Sequence, residues 1–252
     1  MDERIWTAAL VVIGDEILSG RTQDRNIAQL ATWLNAQGIR LAEVRVVPDV
    51  QAAIVEAVNT LRARNDYLFT TGGIGPTHDD ITVDAIAAAL GVPVVIHPQA
   101  RAVLDDYYQT RGGLTDARLR MARVPEGADL IPNRMSGAPG IRVGNEVFIL
   151  AGVPHIAAQM LDALTGQLEG GRPLVSRTIG GWVAESEIAD LLGRTERAHE
   201  GVSIGSYPFF REGRVGANFV VRATDPAVVD ACVADLMAAL AAAGYEVVDG
   251  GI

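Results

Sequence analysis

Three apolar runs near the start of the chain each give way to a run at helical spacing. "AALVVIG" ends at Gly14, and Ile27, Leu30, Ala31 and Leu34 then recur on one helical face. "IRLAEVRVV" runs to Pro48 and is followed by Ile54, Ala57, Val58 and Leu61. "YLFTT" leads to a helix predicted over Thr82 to Leu90, which Gly91 and Pro93 stop. Strand and helix alternating at this pitch demand right-handed crossovers and a mostly parallel sheet covered on both faces. The expected fold class is therefore α/β, with a mostly parallel doubly wound sheet over residues 1–170. In such a sheet ligands bind outside the carboxyl ends of the strands, so the residues just after each strand are the ones to read for function.

Further along, His97 to Met121 is helical in pattern but broken at "RGGLT". "IRV" and "EVFIL" flank Gly144-Asn145, the signature of a hairpin. Ala157, Met160, Leu161 and Leu164 share a helical face. "EGGRP", Glu169 to Pro173, reads as a linker. Residues 174–252 then follow the order β-α-β-β-α-β of a small ferredoxin-like α/β domain.

Composition narrows the function classes. Apolar residues make up 49% of the 252, which suits a globular protein. The longest apolar runs are too short to cross a bilayer. "MDERIW" is acidic where a secretion signal would be basic, so a cytoplasmic location is expected and no membrane partner. The single cysteine, Cys232, falls among Val229, Val233 and Leu236 at helical spacing and reads as core. All 21 basic residues are arginines and the net charge is −10. Without lysine there is no P-loop lysine and no Schiff base. Nucleic acid held on a basic face is not expected either. A small anionic ligand held by backbone N–H groups and a few arginines fits this balance.

The densest chemistry lies in "TTGGIGPTHDD", Thr70 to Asp80. Gly72, Gly73 and Gly75 allow positive φ and close approach of a ligand to bare backbone. Successive N–H groups there can hold phosphate oxygens, with Thr71 at the strand end. Pro76 stiffens the turn and His78 lies within it, where an exposed role is favoured over acid–base chemistry. Asp79 and Asp80 exceed what capping the next helix requires, and paired carboxylates beside phosphates commonly hold a divalent cation. The plain alternative is a tight turn with one capping Asp and one solvated one. A second acidic stretch, Gly14, Asp15 and Glu16, follows the first strand, with Asp24 or Asn26 as cap of the helix beyond. Asp49 follows the second strand and could cap and bind at once. Carboxylates gathered at one sheet edge repel one another unless a cation is present.

Taken together, "VVIGDEILSGRTQDRN", "VVPD", "TTGGIGPTHDDITVDAIAAALG", "MARVPEGADLIPN", "GAPGI" and "ILAGVPHIAAQM" resemble the molybdopterin-binding domain shared by the MoaB/MogA family, MoeA and the N-terminal part of CinA (competence/damage-inducible protein A). The likeness is closest to the CinA branch and covers roughly Ile5 to Leu168. The tail resembles the KH-like domain that follows in CinA proteins, and the amidase domain of that family has no counterpart in this sequence.

The resemblance implies a pocket at the carboxyl edge of the sheet. Asp49 and Asp80 match the acidic residues that position Mg²⁺ and phosphates in MogA-type adenylylation of molybdopterin. They are the candidate catalytic pair, and Asp49, Asp79 and Asp80 the candidate ligands of Mg²⁺ or a similar divalent metal. Thr71, Gly72, Gly73, Gly75, Ser136 and Gly137 are the candidate phosphate-binding set. Gly14, Asp15, Glu16, Asn26, Pro76, His78, Asn133, Gly152 and Pro154 complete the expected pocket. In the CinA branch the domain is associated with metal-dependent hydrolysis of ADP-ribose-type pyrophosphates, and a related domain in FAD synthases with FAD hydrolysis. The leading expectation is a nucleotide pyrophosphatase acting on a small nucleotide or pterin ligand, in a homo-oligomer. The alternatives are adenylyl transfer to molybdopterin and a non-catalytic binding module. "LAGVP", Leu150 to Pro154, departs from the "LPGPP" common in CinA proteins, and His155 stands where serine is common. Both changes bear on ligand identity, since neither removes a carboxylate.

Overall fold

The computed structural model describes residues 4–252, which form two compact units dividing between Gly171 and Arg172. The first unit runs β1 (Trp6–Ile13), α1 (Asp15–Leu18), α2 (Asn26–Ala36), β2 (Ile39–Val47), α3 (Gln51–Arg62), β3 (Tyr67–Thr71), α4 (Thr82–Leu90), β4 (Val94–Ile96), α5 (Pro98–Tyr108) and α6 (Asp116–Leu119). A single 3₁₀ turn at Arg120–Ala122 follows, then β5 (Arg123–Pro125), β6 (Asp129–Ile131), β7 (Gly140–Val143), β8 (Val147–Leu150) and α7 (Pro154–Leu164).

Its main sheet has the order β2-β1-β3-β8-β7-β6. The first four strands are parallel, and β7 and β6 extend the sheet antiparallel. Helices cover both faces, because the central strands are apolar on both. Ala9, Val11 and Ile13 pack with Ile54 and Leu61 of α3 and Ile86 of α4. Ala8, Leu10 and Val12 pack on the other face with Leu30 and Leu34 of α2 and Leu161 of α7. Gly91 ends α4 in the left-handed conformation that its place after the last apolar residue predicts. The Gly144-Asn145 hairpin joins β7 to β8 as expected. The short strands β4, β5 and β6 have three residues each, too few for periodicity to register, and they are absent from the sequence reading.

The second unit runs β9 (Val175–Gly181), α8 (Glu185–Ala198), β10 (Ser203–Arg211), β11 (Arg214–Ala223), α9 (Pro226–Ala242) and β12 (Val247–Asp249). Its strands lie in the order β10-β11-β9-β12, all antiparallel to their neighbours. This is the split β-α-β-β-α-β arrangement. Ala217, Phe219 and Val221 alternate to one face and pack with Val229, Val233 and Leu236 of α9 and with buried Cys232. Asp225 caps α9 by accepting from the Ala227 N–H at 2.8 Å, and Pro226 opens the helix.

Candidate functional site at the carboxyl edge of the sheet

The parallel strands β1, β2, β3 and β8 deliver four loop starts to one edge. Their tips are tied by backbone bonds: Gly14 N–H donates to Val47 C=O at 3.2 Å, and Gly72 N–H to Leu150 C=O at 3.2 Å. Gly72 and Gly73 hold φ of 100° and 66°. A Cβ on Gly72 would lie 2.2 Å from the Ile13 carbonyl oxygen, and one on Gly152 would lie 3.1 Å from the Gly72 Cα. Thr82 at the start of α4 locks the turn: its Oγ1 donates to Gly72 C=O at 2.8 Å, and its N–H to Gly73 C=O at 3.1 Å. The following N–H groups, those of Gly73, Ile74 and Gly75, donate to no acceptor among the described residues. Three successive free donors at a strand end are what a phosphate oxygen can use.

Asp80 shapes that loop from within. Its Oδ2 accepts from both the N–H, at 2.8 Å, and the hydroxyl of Thr77. It also lies against Gly75, where a Cβ would come within 2.6 Å of the carboxylate. Neither Asp79, Asp80 nor Thr82 caps α4, which begins without a side-chain cap. Arg120 holds the segment from behind, donating from Nη2 to Asp80 C=O at 3.3 Å, while its Nε–H is buried without a partner. Arg123 pairs with Asp84 of α4 beside it. Arg120 is invisible to sequence reasoning, since it stands forty residues downstream in a segment with no phosphate motif.

Asp49 does not cap α3, whose N-cap is Val50. Its Oδ2 instead accepts from the Asp15 N–H at 2.9 Å, joining the ends of β2 and β1. Burial raises the Asp49 pKa above the ordinary carboxylate range, and the charges of Asp15, Glu16 and Asp79 push in the same direction, against the Asp15 N–H. Acidic groups from three loops thus feel one another. They do not form a closed cage: among the described residues no three His, Cys, Asp or Glu side chains are placed to hold a metal ion. Asp49, Asp79 and Asp80, the expected ligand set, are thus not gathered into one cluster. Asp80 is engaged with Thr77, and Asp79 is largely exposed. What remains suits a hard cation such as Mg²⁺, which keeps waters and takes one or two carboxylates plus ligand phosphates. It does not suit zinc or calcium in an all-protein shell.

Behind this mouth lies a cavity of about 60 Å³ lined by Val12, Glu16, Asn26, Thr71, Gly152 and Pro154, among others. Asn26 is 4% and Thr71 2% exposed. Asn26 donates from Nδ2 to Gly152 C=O at 2.8 Å, but its Oδ1 and the Thr71 Oγ1 are buried without partners. Buried polar atoms are normally paired, so two orphans lining one cavity mark a place for a ligand edge or water. Asp24, not Asn26, caps this end of α2, accepting from the Ile27 N–H at 2.8 Å.

The remaining predicted residues separate. His78 is 99% exposed at its side chain, an ordinary solvated loop residue. Asn133 spends its amide on its own turn, donating to Ser136 Oγ at 2.6 Å and Ala138 C=O at 2.8 Å and accepting from the Met135 N–H. Gly137 lies under the Tyr107 ring, 2.7 Å from where its Cβ would be. Among the described residues none of this turn's hydrogen bonds reaches the Gly72–Asp80 loop.

A model described as a probable molybdopterin binding domain matches residues 9–170, and the chain belongs to that family. A second, the middle domain of FAD synthase, matches residues 173–248. A CinA-like protein of Citrifermentans bemidjiense is 38% identical over 193 residues, 73% of this chain and 46% of its own length. A protein of Aeropyrum pernix is 36% identical over 214 residues, 81% of this chain and 79% of the relative. The crystal structure of CinA from Thermoplasma acidophilum, a protein described there as of unknown function, is 33% identical with a TM-score of 0.61, covering 65% of this chain and 98% of that one. The chain therefore spans about half the length of the CinA-like relative from C. bemidjiense. Among the described residues no helix is long and apolar enough to cross a membrane.

Proposed function

We propose that the carboxyl-edge site binds a nucleotide pyrophosphate with a divalent cation and hydrolyses it, ADP-ribose or a flavin dinucleotide being the ligand class. The observation that carries this reading is the run of free N–H groups from Gly73 to Gly75 at the same sheet edge as the Asp49 carboxylate, which feels the charge of Asp79 from that loop. A phosphoanhydride would offer oxygens to the first, and the divalent cation that accompanies it would be held by the second. The match of the second unit to the FAD synthase middle domain supports a dinucleotide. The small cavity lined by Asn26 and Thr71 would take the edge of the ligand, having room for about two waters' volume.

The cation, when bound, neutralises phosphate charge and activates water. Asp49 would hold it, the Gly73–Gly75 backbone would orient the phosphates, and Asp80 with Arg120 ties the loop in shape. Water adds at a phosphorus and the anhydride P–O bond breaks, so ADP-ribose yields AMP and ribose 5-phosphate, and FAD yields AMP and FMN. Incubation with each, with Mg²⁺ and with a chelator, tests this by AMP release. Adenylylated pterin from molybdopterin and ATP would replace it with the transferase reading. Tight binding without turnover would leave a binding module.

Two substitutions probe the positioning groups. Thr71→Val removes a hydroxyl that has no partner in the free protein, so the unliganded chain is expected to gain about 1 kcal/mol. ADP-ribose binding, followed by calorimetry, should weaken by about tenfold if the hydroxyl meets the ligand. A stability loss with unchanged binding would detach Thr71 from the site. Arg120→Gln removes the charged tether on Asp80 and should also weaken ADP-ribose binding about tenfold. Lysine there should restore part of the affinity, since one charged N–H donor to the Asp80 C=O is what the change removes, and unchanged binding in the glutamine variant would count against the tether.

A further inference from the structure

In the second unit the face of β10 and β11 that points away from α8 and α9 sets two aromatic rings, Tyr207 and Phe209, among polar residues that include Arg211, Arg214, Asn218 and Arg222. Phe209 pairs with Gly216 and Tyr207 with Asn218 on that face. The Phe209 ring lies across Gly216, where a Cβ would come within 2.5 Å of it, and Tyr207 leans over Gly205. Trp182, just past β9, meets Phe209 edge-on with centroids 5.4 Å apart. None of the three belongs to the buried cluster of this unit, and Tyr207 is 47% exposed. They are not core, because alternation on β10 sends Tyr207 and Phe209 to the face away from the helices, where Ile252 covers the neighbouring strip at Gly180 and Asn218.

Each ring carries an arginine. Arg214 lies 4.3 Å from the Trp182 centroid, Arg211 5.0 Å from that of Phe209 and Arg222 5.8 Å from that of Tyr207. Arg222 also donates to the Tyr207 hydroxyl at 2.6 Å. Arg211 and Arg214 have no carboxylate partner among the described residues, although Glu212 sits between them at the hairpin tip. Pairing of β10 with another strand is a poor alternative use. The outward N–H of Ile204 is taken by Glu196 at 2.8 Å, and Pro208 has none.

We propose that this face is a stacking platform for a short single-stranded nucleic acid. Bases would take the ring faces of Tyr207, Phe209 and Trp182 that the guanidiniums now cover, and the displaced Arg211, Arg214 and Arg222 would pair with phosphates. The net charge of −10 opposes a groove-binding mode that neutralises many phosphates. A platform for two or three bases needs only a few local arginines. This reading is independent of the pyrophosphate site.

The test uses the full chain and fluorescein-labelled RNA and DNA strands of about eight nucleotides, followed by anisotropy at low salt. Single strands should bind at micromolar concentration, and a duplex of the same sequence at least about tenfold more weakly. Phe209→Ala and Tyr207→Ala should each weaken binding by about tenfold or more. The Arg211→Gln, Arg214→Gln pair should flatten the slope of log affinity against log salt by about 1.4, two phosphates' worth on a single strand. Asp49→Asn should leave binding unchanged. Circular dichroism checks that the variants fold. Absence of binding at about 100 µM protein, equal binding of duplex, equal competition by polyglutamate, or affinity that survives both aromatic changes would each overturn the platform. So would a dimer that Phe209→Ala dissociates.

Discussion

Asp49→Asn is expected to abolish cation-dependent turnover, by about a hundredfold or more, while leaving the folded chain at least as stable as the wild type near neutral pH. The two effects have one cause. The Asp49 carboxyl is pushed upward first by burial and then by Asp15, Glu16 and Asp79. Its charged form is therefore worse off in the folded state than in the unfolded one. Below the ordinary aspartate pKa of about 3.9 the group is protonated in both states and costs nothing. As pH rises through that value the unfolded chain releases its proton while the folded chain still holds its own. Stability falls across the window up to the raised folded pKa and stays lowered above it. Asparagine removes this penalty, and its Oδ1 can still accept from the Asp15 N–H. The melting-temperature advantage of the variant should widen with pH across that window and then level off. Cation affinity of the wild type should fall as pH drops through the same window, since protons compete for the carboxylate. Thermal melts from pH 3 to 8 with AMP-release assays decide the matter. A variant that melts lower at neutral pH, or one that keeps Mg²⁺-dependent activity, would remove Asp49 from the centre of the site.

How much of this was open to reading from the residues depends on the kind of interaction involved. The crossovers that carry β1, β2 and β3 were legible because buried parallel strands and two-sided helical layers leave apolar periodicities many residues long. Gly91 and Pro226 were legible as stop and start signals for the same local reason. The glycine loop and the carboxylates after each strand were found because a parallel sheet sends successive strand ends to one edge. What local pattern does not encode is where a side chain's hydrogen bonds go. Asp49 and Asp80 look like helix caps in sequence, but one reaches Asp15 from a neighbouring strand and the other closes a turn on Thr77. Asn133 looks like a ligand-side residue and is spent on Ser136 and Ala138. The orphan hydroxyl of Thr71 and the buried Nε–H of Arg120 exist only as consequences of three-dimensional closure. On β10 the alternation was present in "SYPFF", but which parity faced the helices depends on pairing with β11.

Gly72→Ala is expected to cost about 3 kcal/mol or more in stability, the largest loss of any single methyl added in the cradle. Gly72 holds φ at 100°, where an L-residue is strained whatever surrounds it. The new Cβ would also lie 2.2 Å from the Ile13 carbonyl oxygen. That oxygen cannot retreat cheaply. Ile13 ends β1 in register with Val47 of β2, and Gly72 itself donates to Leu150 of β8. Relief therefore shifts strand tips at the centre of the sheet, not a flexible side chain. Gly75→Ala makes the informative contrast. Its φ is not in the left-handed region, and its Cβ would meet the Asp80 carboxylate at 2.6 Å. A side chain can swing aside at the cost of its bonds to Thr77, about 1 kcal/mol. Activity should nonetheless fall steeply, because the loop then loses the tie that holds its free N–H groups in place. Urea melts combined with AMP-release rates would separate the two: an unfolding defect at position 72, and an activity defect in a well-folded protein at position 75. Equal stability in Gly72→Ala would mean that the turn is not wedged against β1. Undiminished turnover in Gly75→Ala would mean that the Asp80–Thr77 tie does not govern the phosphate cradle.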